Sequence, residues 1–362
     1  ESLQMETGST GTGSSSWSAN SRMTSLTATA GTGTAFTQSY QYIPYQPGKS
    51  QLIKITGVMG AAVSGFTKDY GYFDSANGIF FRQTSAGVLQ MVRRTSTSGS
   101  VVNNAVNQSD WSEDTLDGNG TSGITLDATK AFILVIDLQF LGMGEVRIGF
   151  NIDGAVYWAH HFRNANNLDV PYMQTATLPI QALLTASSSS GAATMYFKCA
   201  AVESEGGFNV DKGLSFSTAE GTVTAASGAD THILSLRPLT TFNTITNRIL
   251  ILLNEINVIV TGNHPVQWKL CIGSTFSVAP TYANVNTTYS GCENGTGGTL
   301  TSAGTVISTG YVAATSQSKQ SIAQNVNLRY PITLDRAGAV RALGTLSLIV
   351  NGIGGHSATS AT

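Results

Sequence analysis

Apolar residues recur along this chain at every second position. Val146, Ile148, Phe150 and Ile152 alternate with Arg147, Gly149 and Asn151, and Val266, Trp268 and Leu270 alternate with Gln267 and Lys269. That period sets successive side chains on opposite faces of an extended strand, one face buried and one solvated. Shorter runs at 195–202, 233–236 and 346–350 are of the same kind. The stretch 131–140 is apolar almost throughout, which predicts a strand buried on both faces. Ser, Thr, Asn and Gly fill most of the intervals, and no capped amphipathic helix of three turns appears. Many short strands separated by turns predict an all-β protein.

The composition shifts between Glu203 and Lys212, where Cys199-Ala200-Ala201-Val202 gives way to Glu203-Ser204-Glu205-Gly206-Gly207. About seven or eight strand candidates precede this point and about six to eight follow it, each number suiting one sandwich. Residues 1–204 and 205–362 are therefore expected to form two tandem antiparallel β-sandwich domains of jelly-roll-like type. The first 40 residues are rich in Ser, Thr and Gly with almost no charge. They are expected to be only partly ordered, as an arm or as exposed strands with small side chains.

Asp153-Gly154 lies between two alternating runs, the strongest short-range signal for a two-residue hairpin. A two-residue loop pairs Ile152 with Ala155, which sets Gly149 opposite Trp158, Asn151 opposite Val156 and Arg147 opposite His160. Opposed residues share a face. One face should then carry Arg147, Asn151, Trp158 and His160, and the other Val146, Ile148 and Phe150 with Tyr157, Ala159 and His161. An indole beside a glycine, ringed by Arg, Asn and His, is a platform on which a sugar ring can stack and be oriented. Packing of Trp158 under a loop or a neighbouring subunit is the competing reading, and a three-residue loop would reverse the faces.

Charge narrows the possibilities. Only 11% of the 362 residues are charged, 19 basic against 21 acidic, for a formal net charge of −2. A nucleic-acid partner would call for a basic stripe that this chain lacks. With 41% hydrophobic residues the chain can build cores, so it is not an intrinsically disordered one. Cys199, Cys271 and Cys292 make no disulfide framework. No run reaches the ~18 apolar residues of a membrane helix, since Asn254, Glu255 and Asn257 interrupt the closest, so membrane insertion is not expected. The chain starts at Glu1 without an initiator Met and stops without a helix cap, so sequence is expected beyond one or both ends.

Candidate chemistry is sparse. His160 and His161 are adjacent on a strand and point to opposite faces, which argues against a metal site. The Asp114–Gly120 run fails as a calcium loop, because counted from Asp117 the chain has Ser122 where Gly is needed and Ala128 where Glu is needed. Glu113 with Asp114 and Glu203 with Glu205 are the carboxylate pairs that a glycoside-cleaving site would require in one cleft. Neither a nucleophile elbow nor a phosphate loop occurs. The chain is expected to be non-enzymatic, with no cofactor.

Several segments, in order, resemble structural proteins in the virions of tailed bacteriophages, particularly phages of aquatic bacteria. They are Tyr-Gln-Pro-Gly-Lys-Ser-Gln-Leu at 45–52, Gly-Tyr-Phe-Asp-Ser-Ala-Asn-Gly-Ile-Phe-Phe-Arg at 71–82, and Leu-Asp-Gly-Asn-Gly-Thr-Ser-Gly-Ile at 116–124. The hairpin Arg-Ile-Gly-Phe-Asn-Ile-Asp-Gly at 147–154 follows, then Ser-Leu-Arg-Pro at 235–238, Val-Thr-Gly-Asn-His-Pro-Val at 260–266 and Tyr-Pro-Ile-Thr-Leu-Asp at 330–335. The resemblance runs from about residue 16 to 355, and its specificity comes from the order of plain motifs. It implies a non-catalytic component on the outside of a virion, attached to capsid or tail. Copies of itself in a trimer or ring and other virion proteins are the partners expected with it, and a host-surface glycan is the partner that the Trp158 face would add. A glycan-binding host-attachment adhesin, as fibre or spike, is the alternative, with Trp158, Arg147, His160 and Asn151 as its binding residues.

Overall fold

The computed structural model describes residues 3–207, 214–218, 221–260, 262, 264–313, 320–325, 332–354 and 359–361. The chain divides into two compact units, 1–212 and 213–362. Residues 330–331 of the last resembling motif and 208–212 of the boundary stretch lie outside the described residues.

In the first unit the alternating runs become β1 (Met5–Ser18), β2 (Met23–Ser39), β3 (Gln51–Val58), β4 (Phe66–Phe73), β5 (Gly78–Gln83) and β6 (Leu89–Thr95). Then come β7 (Val102–Asn107), β8 (Phe132–Leu138), β9 (Val146–Ile152), β10 (Ala155–Phe162), β11 (Ile180–Ser189) and β12 (Ala193–Ser204). They form one twelve-stranded sheet in the order β10-β9-β8-β3-β12-β2-β11-β4-β5-β6-β7, with β1 also paired to β2. Every pairing is antiparallel.

β2 is shared by both halves of this sheet. Its first part, Thr24 to Ala28, bonds β12, and its second part, Gly33 to Gln38, bonds β11. The sheet therefore folds over at β2, and its two halves face one another across a single core. Leu26, Ile53, Ile55, Ile136, Ile148 and Phe150 from one half meet Tyr70, Tyr72, Phe81, Met91 and Leu184 from the other. This is a β-sandwich made from a continuous sheet, as expected from the period-two pattern.

The first 40 residues are far more ordered than expected, since they supply the two longest strands. Their small side chains are what the fold-over needs. The register breaks between Gly11, paired with Gly33, and Gly13, paired with Ala28, so residues 29–32 of β2 stand opposite Thr12 alone, with Gly11 at φ 55° in the left-handed region. A Cβ at Gly13 would fall on the Thr34 carbonyl, and one at Gly33 on the Thr12 amide and Thr10 carbonyl. Ser15 Oγ crosses the inside of the bend to donate to Gly8 O at 2.9 Å.

The free edges of the sheet are treated differently. At β10, the amides of Glu113 and Asp114 both donate to Ala159 O and the His161 amide donates to Ser112 Oγ, so a loop covers the edge. At β7, Trp111 Nε1 donates to Val106 O. β1 pairs only with β2 among the described residues. Because Tyr40 N donates to Gln4 O, the even-numbered residues from Gln4 to Thr10 bond β2, and Met5, Thr7 and Ser9 aim their amides outward.

The second unit is also a two-sheet structure. Its strands are β13 (Val223–Ala225), β14 (Thr231–Pro238), β15 (Thr241–Phe242), β16 (Ile245–Thr246), β17 (Glu255–Val260), β18 (Val266–Ile272) and β19 (Thr275–Val278). β20 (Thr281–Asn284), β21 (Cys292–Thr296), β22 (Thr299–Ser302), β23 (Thr305–Val312), β24 (Gln320–Asn325), β25 (Leu346–Gly352) and β26 (Thr359–Ala361) complete it. A six-stranded sheet, β20-β21-β14-β25-β18-β23, packs on a four-stranded one, β13-β26-β17-β24. Trp268, Leu270, Leu346 and Val350 from the first meet Ala225, Ile256, Val258 and Val260 from the second. The pairs β15–β16 and β19–β22 stand apart as short ribbons. All three cysteines are free.

The bend generates a stability prediction. Gly13→Val or Gly33→Val should destabilise the first unit by about 3 kcal/mol, because a branched side chain meets backbone that cannot retreat. Ser14→Val, on an exposed neighbour, should stay within about 0.5 kcal/mol. Urea unfolding of the three variants measures the difference.

Candidate functional site

Five strands of the first unit bring three of the four predicted platform residues, Arg147, Asn151 and Trp158, to one face. Directly opposed residues form two rows across them. Glu203 on β12, Leu52 on β3, Asp137 on β8, Arg147 on β9 and His161 on β10 make the first. Ala201, Lys54, Val135, Gly149 and Trp158 make the second. Their neighbours Ile53, Ile136 and Ile148 point into the core, so these rows face outward. At roughly 4.8 Å per strand spacing, each row spans about 19 Å.

The hairpin forms as the Asp-Gly signal predicts. Asp153 at φ 51° and Gly154 at φ 86° make a two-residue turn with both residues left-handed, matching the twist of the flanking strands. Ile152 pairs with Ala155, Asn151 with Val156 and Gly149 with Trp158. Gly149 lets the strands approach closely, since a Cβ there would land on the Tyr157 carbonyl.

Beyond Trp158 the expected register is wrong. A bulge at Ala159 shifts the pairing, so His161, not His160, stands opposite Arg147. The extra residue is held by the covering loop, whose two amides converge on the Ala159 carbonyl. His160 is thereby turned away from the platform and is only 8% exposed. Its Nδ1 accepts from the Ser112 amide at 3.2 Å, and its ring packs edge-on to Phe162 with centroids 4.6 Å apart. Burial, reinforced by the neighbouring His161, pushes the His160 pKa down to about 4.

Around Trp158 the polar groups are held in place by partners. Arg147 donates to Asp137 through Nε at 3.0 Å and also through Nη2. This carboxylate is 8% exposed and its arginine 37%, so the pair is anchored below and open above. The guanidinium lies over the indole of Trp158, 4.7 Å from the ring centroid. Lys54 pairs with Glu203 at 2.9 Å. Leu52, Asp137, Arg147, Trp158, Glu203, Ser204 and Glu205 together line a depression of about 330 Å³. Asn151 lies on the same face, past Gly149, and does not line it.

At the far end of the first row His161 Nδ1 sits 3.2 Å from Glu145 Oε1 and 3.4 Å from Glu113 Oε1. Arg163 Nη2 donates to Glu113 Oε1 at 3.0 Å. Glu113 is thus engaged on this face while Asp114 turns into its own loop, accepting the amides of Leu116 and Ser122. Those two carboxylates do not converge. Glu203 and Glu205 do share the depression, with Asp137 as a third acid. Asp117 accepts from Thr115 Oγ1 and the Asn119 amide, as a turn residue does. Among the described residues no group of three His, Cys, Asp or Glu could hold a metal ion. None of the helices there is long and apolar enough to cross a membrane.

Sequence reasoning missed Asp137, His161, Glu203 and Glu205 as neighbours of Trp158. Asp137 carried a signal, being the lone charge within the apolar run 131–140. So did the bulge: Tyr157 and Phe162 both belong to the core side but are five residues apart, an odd number that strict alternation forbids.

No family model matches the chain, and no curated protein matches it. Solved structures show a similar course of strands. A glycosyl hydrolase family protein from Mycobacterium fortuitum is 10% identical, over 56% of this chain and 92% of that one, with a TM-score of 0.37. The β-glucanase of Bacillus licheniformis is 14% identical over 55% and 91%, at 0.32. A carbohydrate-binding module from Bacillus subtilis is 12% identical over 54% and 96%, at 0.29.

The buried histidine predicts an acid sensitivity. The folded state holds His160 unprotonated until about pH 4, whereas the unfolded chain protonates it near 6.5. The unfolded state therefore binds more protons between those values, and stability falls as pH drops from about 6.5 to 4. The full loss attributable to this group is about 3 kcal/mol. Urea unfolding of wild type and His160→Gln across that range should show a difference that shrinks toward pH 4.

Proposed function

We propose that this chain is a glycan-binding attachment protein of a bacteriophage virion, exposed on the outside of the particle and non-catalytic. The observation that carries the glycan reading is the depression around Trp158. Its indole offers an apolar face of the kind that packs against the C–H face of a pyranose. Arg147, fixed by Asp137, presents donors beside it, and Glu203, Ser204 and Glu205 present acceptors for hydroxyl groups. A volume of about 330 Å³ lies at the small end of ligand sites and suits a sugar residue. The virion reading is supported by the ordered motifs that resemble tailed-phage structural proteins.

Trp158→Ala should lower affinity for the recognised glycan about tenfold or more while leaving the melting temperature within a few degrees. Glycan-array binding followed by titration calorimetry measures it. Loss of folding in this variant, with Trp158→Phe rescuing stability but no glycan bound by either, would make Trp158 a packing residue and end the reading.

A second role, assembly with copies of itself, is favoured by β1. This edge is unpaired on its outer side among the described residues and carries almost no charge, so a second copy meets little repulsion there. Ser9→Pro removes one outward amide without touching the ladder to β2. It should shift the oligomer to smaller species in sedimentation while the far-ultraviolet spectrum stays unchanged.

A further inference from the structure

The outward face of the six-stranded sheet in the second unit is divided in two. At one end the β19–β22 ribbon covers it: Phe276 packs edge-on to His232 at 4.9 Å, and His232, Ser235, Ser347 and Cys271 are buried there. At the other end the face is open. Tyr311 on the edge strand β23 is opposite Gln267 on β18, which is opposite Asn351 on β25. Tyr311 is 62% exposed, and no described ring or guanidinium packs on it.

The polar groups beside this ring are fixed by one another. Gln267 Nε2 donates to the Tyr311 hydroxyl at 3.3 Å and to Thr309 Oγ1 at 3.2 Å. Thr309 Oγ1 in turn donates to Trp268 O at 2.8 Å. Asp230 Oδ1 accepts from Lys269 Nζ at 2.7 Å and from Asn351 Nδ2 at 3.0 Å. These bonds occupy both Gln267 N–H groups and the Thr309 hydroxyl, and leave three oxygens with open lone pairs, Gln267 Oε1, Asn351 Oδ1 and Asp230 Oδ2, beside the Tyr311 O–H and the second Asn351 N–H as remaining donors. None of the three is a buried orphan, so each meets solvent. Two strand spacings, about 10 Å, separate the ring from the carboxylate end.

We infer that this face of the second unit is a separate binding site for a neutral sugar, with Tyr311 as the stacking residue. An exposed aromatic ring and a set of acceptors aimed beside it complement one object well, a pyranose with an apolar C–H face and hydroxyl donors around its rim. The side chains that orient these acceptors are themselves locked, so little rotamer freedom is lost on binding. Asp230 and Lys269 cancel in charge, which leaves nothing to select an acidic sugar over a neutral one. The inference does not rest on the Trp158 depression, which belongs to the first unit and is lined by other residues.

The test is affinity electrophoresis of the full chain through gels containing mannan, galactan or β-glucan, with alginate as the acidic control. Wild type is compared with Tyr311→Ala, Gln267→Ala, Trp158→Ala and the double variant Trp158→Ala with Tyr311→Ala. Tyr311→Ala, at an exposed position, should keep its thermal unfolding profile and lose about tenfold in apparent affinity for a neutral polymer. Gln267→Ala should lose less, and the double variant should migrate as it does without polysaccharide. Weakening by Tyr311→Ala but not by Trp158→Ala upholds the second site and removes the first. Weakening by Trp158→Ala with Tyr311→Ala migrating as wild type overturns the second site alone. Absence of retardation in every neutral gel, or retardation in alginate only, also overturns it.

Discussion

The first unit depends on one strand being able to bond in two directions. β2 gives its first half to the β12 side of the sheet and its second half to the β11 side, and the core exists only because the sheet folds at that change of partner. A bend this sharp in a paired ribbon needs backbone to approach backbone. The glycines at 11, 13 and 33 allow that, where any side chain would strike a carbonyl or an amide. The weakly hydrophobic, Ser/Thr/Gly-rich start of the chain is thus a structural hinge, and its sparse side chains are the reason the two halves can face one another.

From that fold the site follows with few additions. The outer face of β12-β3-β8-β9-β10 presents residues in rows, and the rows bring together groups more than 50 positions apart in the chain, such as Leu52, Asp137 and Glu203. What distinguishes the platform from an ordinary solvated face is that its charges are held. Asp137 is buried beneath Arg147, and Arg147 is held against Trp158. Removing that carboxylate would free the guanidinium rather than simply delete a charge. The second unit uses the same device in another form, with Asp230 fixing a lysine and an amide beside an exposed tyrosine.

Much of this was legible in the chain before the fold was known, and the failures are informative. Strict alternation located β9, β18, β14 and β25, and Asp153-Gly154 gave the turn and the first pairings of the hairpin. Trp158 and Arg147 were correctly set on one face. His160 was not, because a single inserted residue reverses the parity of everything after it, and only the distance between two core aromatics records the insertion. Local composition misjudged the first 40 residues, because β1 is a strand only against β2, and β2 in turn is paired along its other edge by strands 140 or more positions later. Glu203 and Glu205 stood out as a pair and Asp137 as a lone charge, but their meeting around Trp158 was not legible, because β12 and β8 are far apart in the chain and proximity across a sheet leaves no mark in sequence spacing.

The dependence of β2 on distant partners has a consequence during synthesis. Its bonding edge waits for β11 and β12, which emerge from the ribosome well over a hundred residues later, on the order of 7–30 s at ordinary elongation rates. For that interval the β1–β2 ribbon stands alone, with bare edges that would serve as templates for other nascent chains. A sequence of Ser, Thr and Gly with scarcely a large apolar side chain is poorly suited to form a dry interface with a stranger. The same plainness that lets the ribbon bend in the finished protein keeps it harmless while it waits.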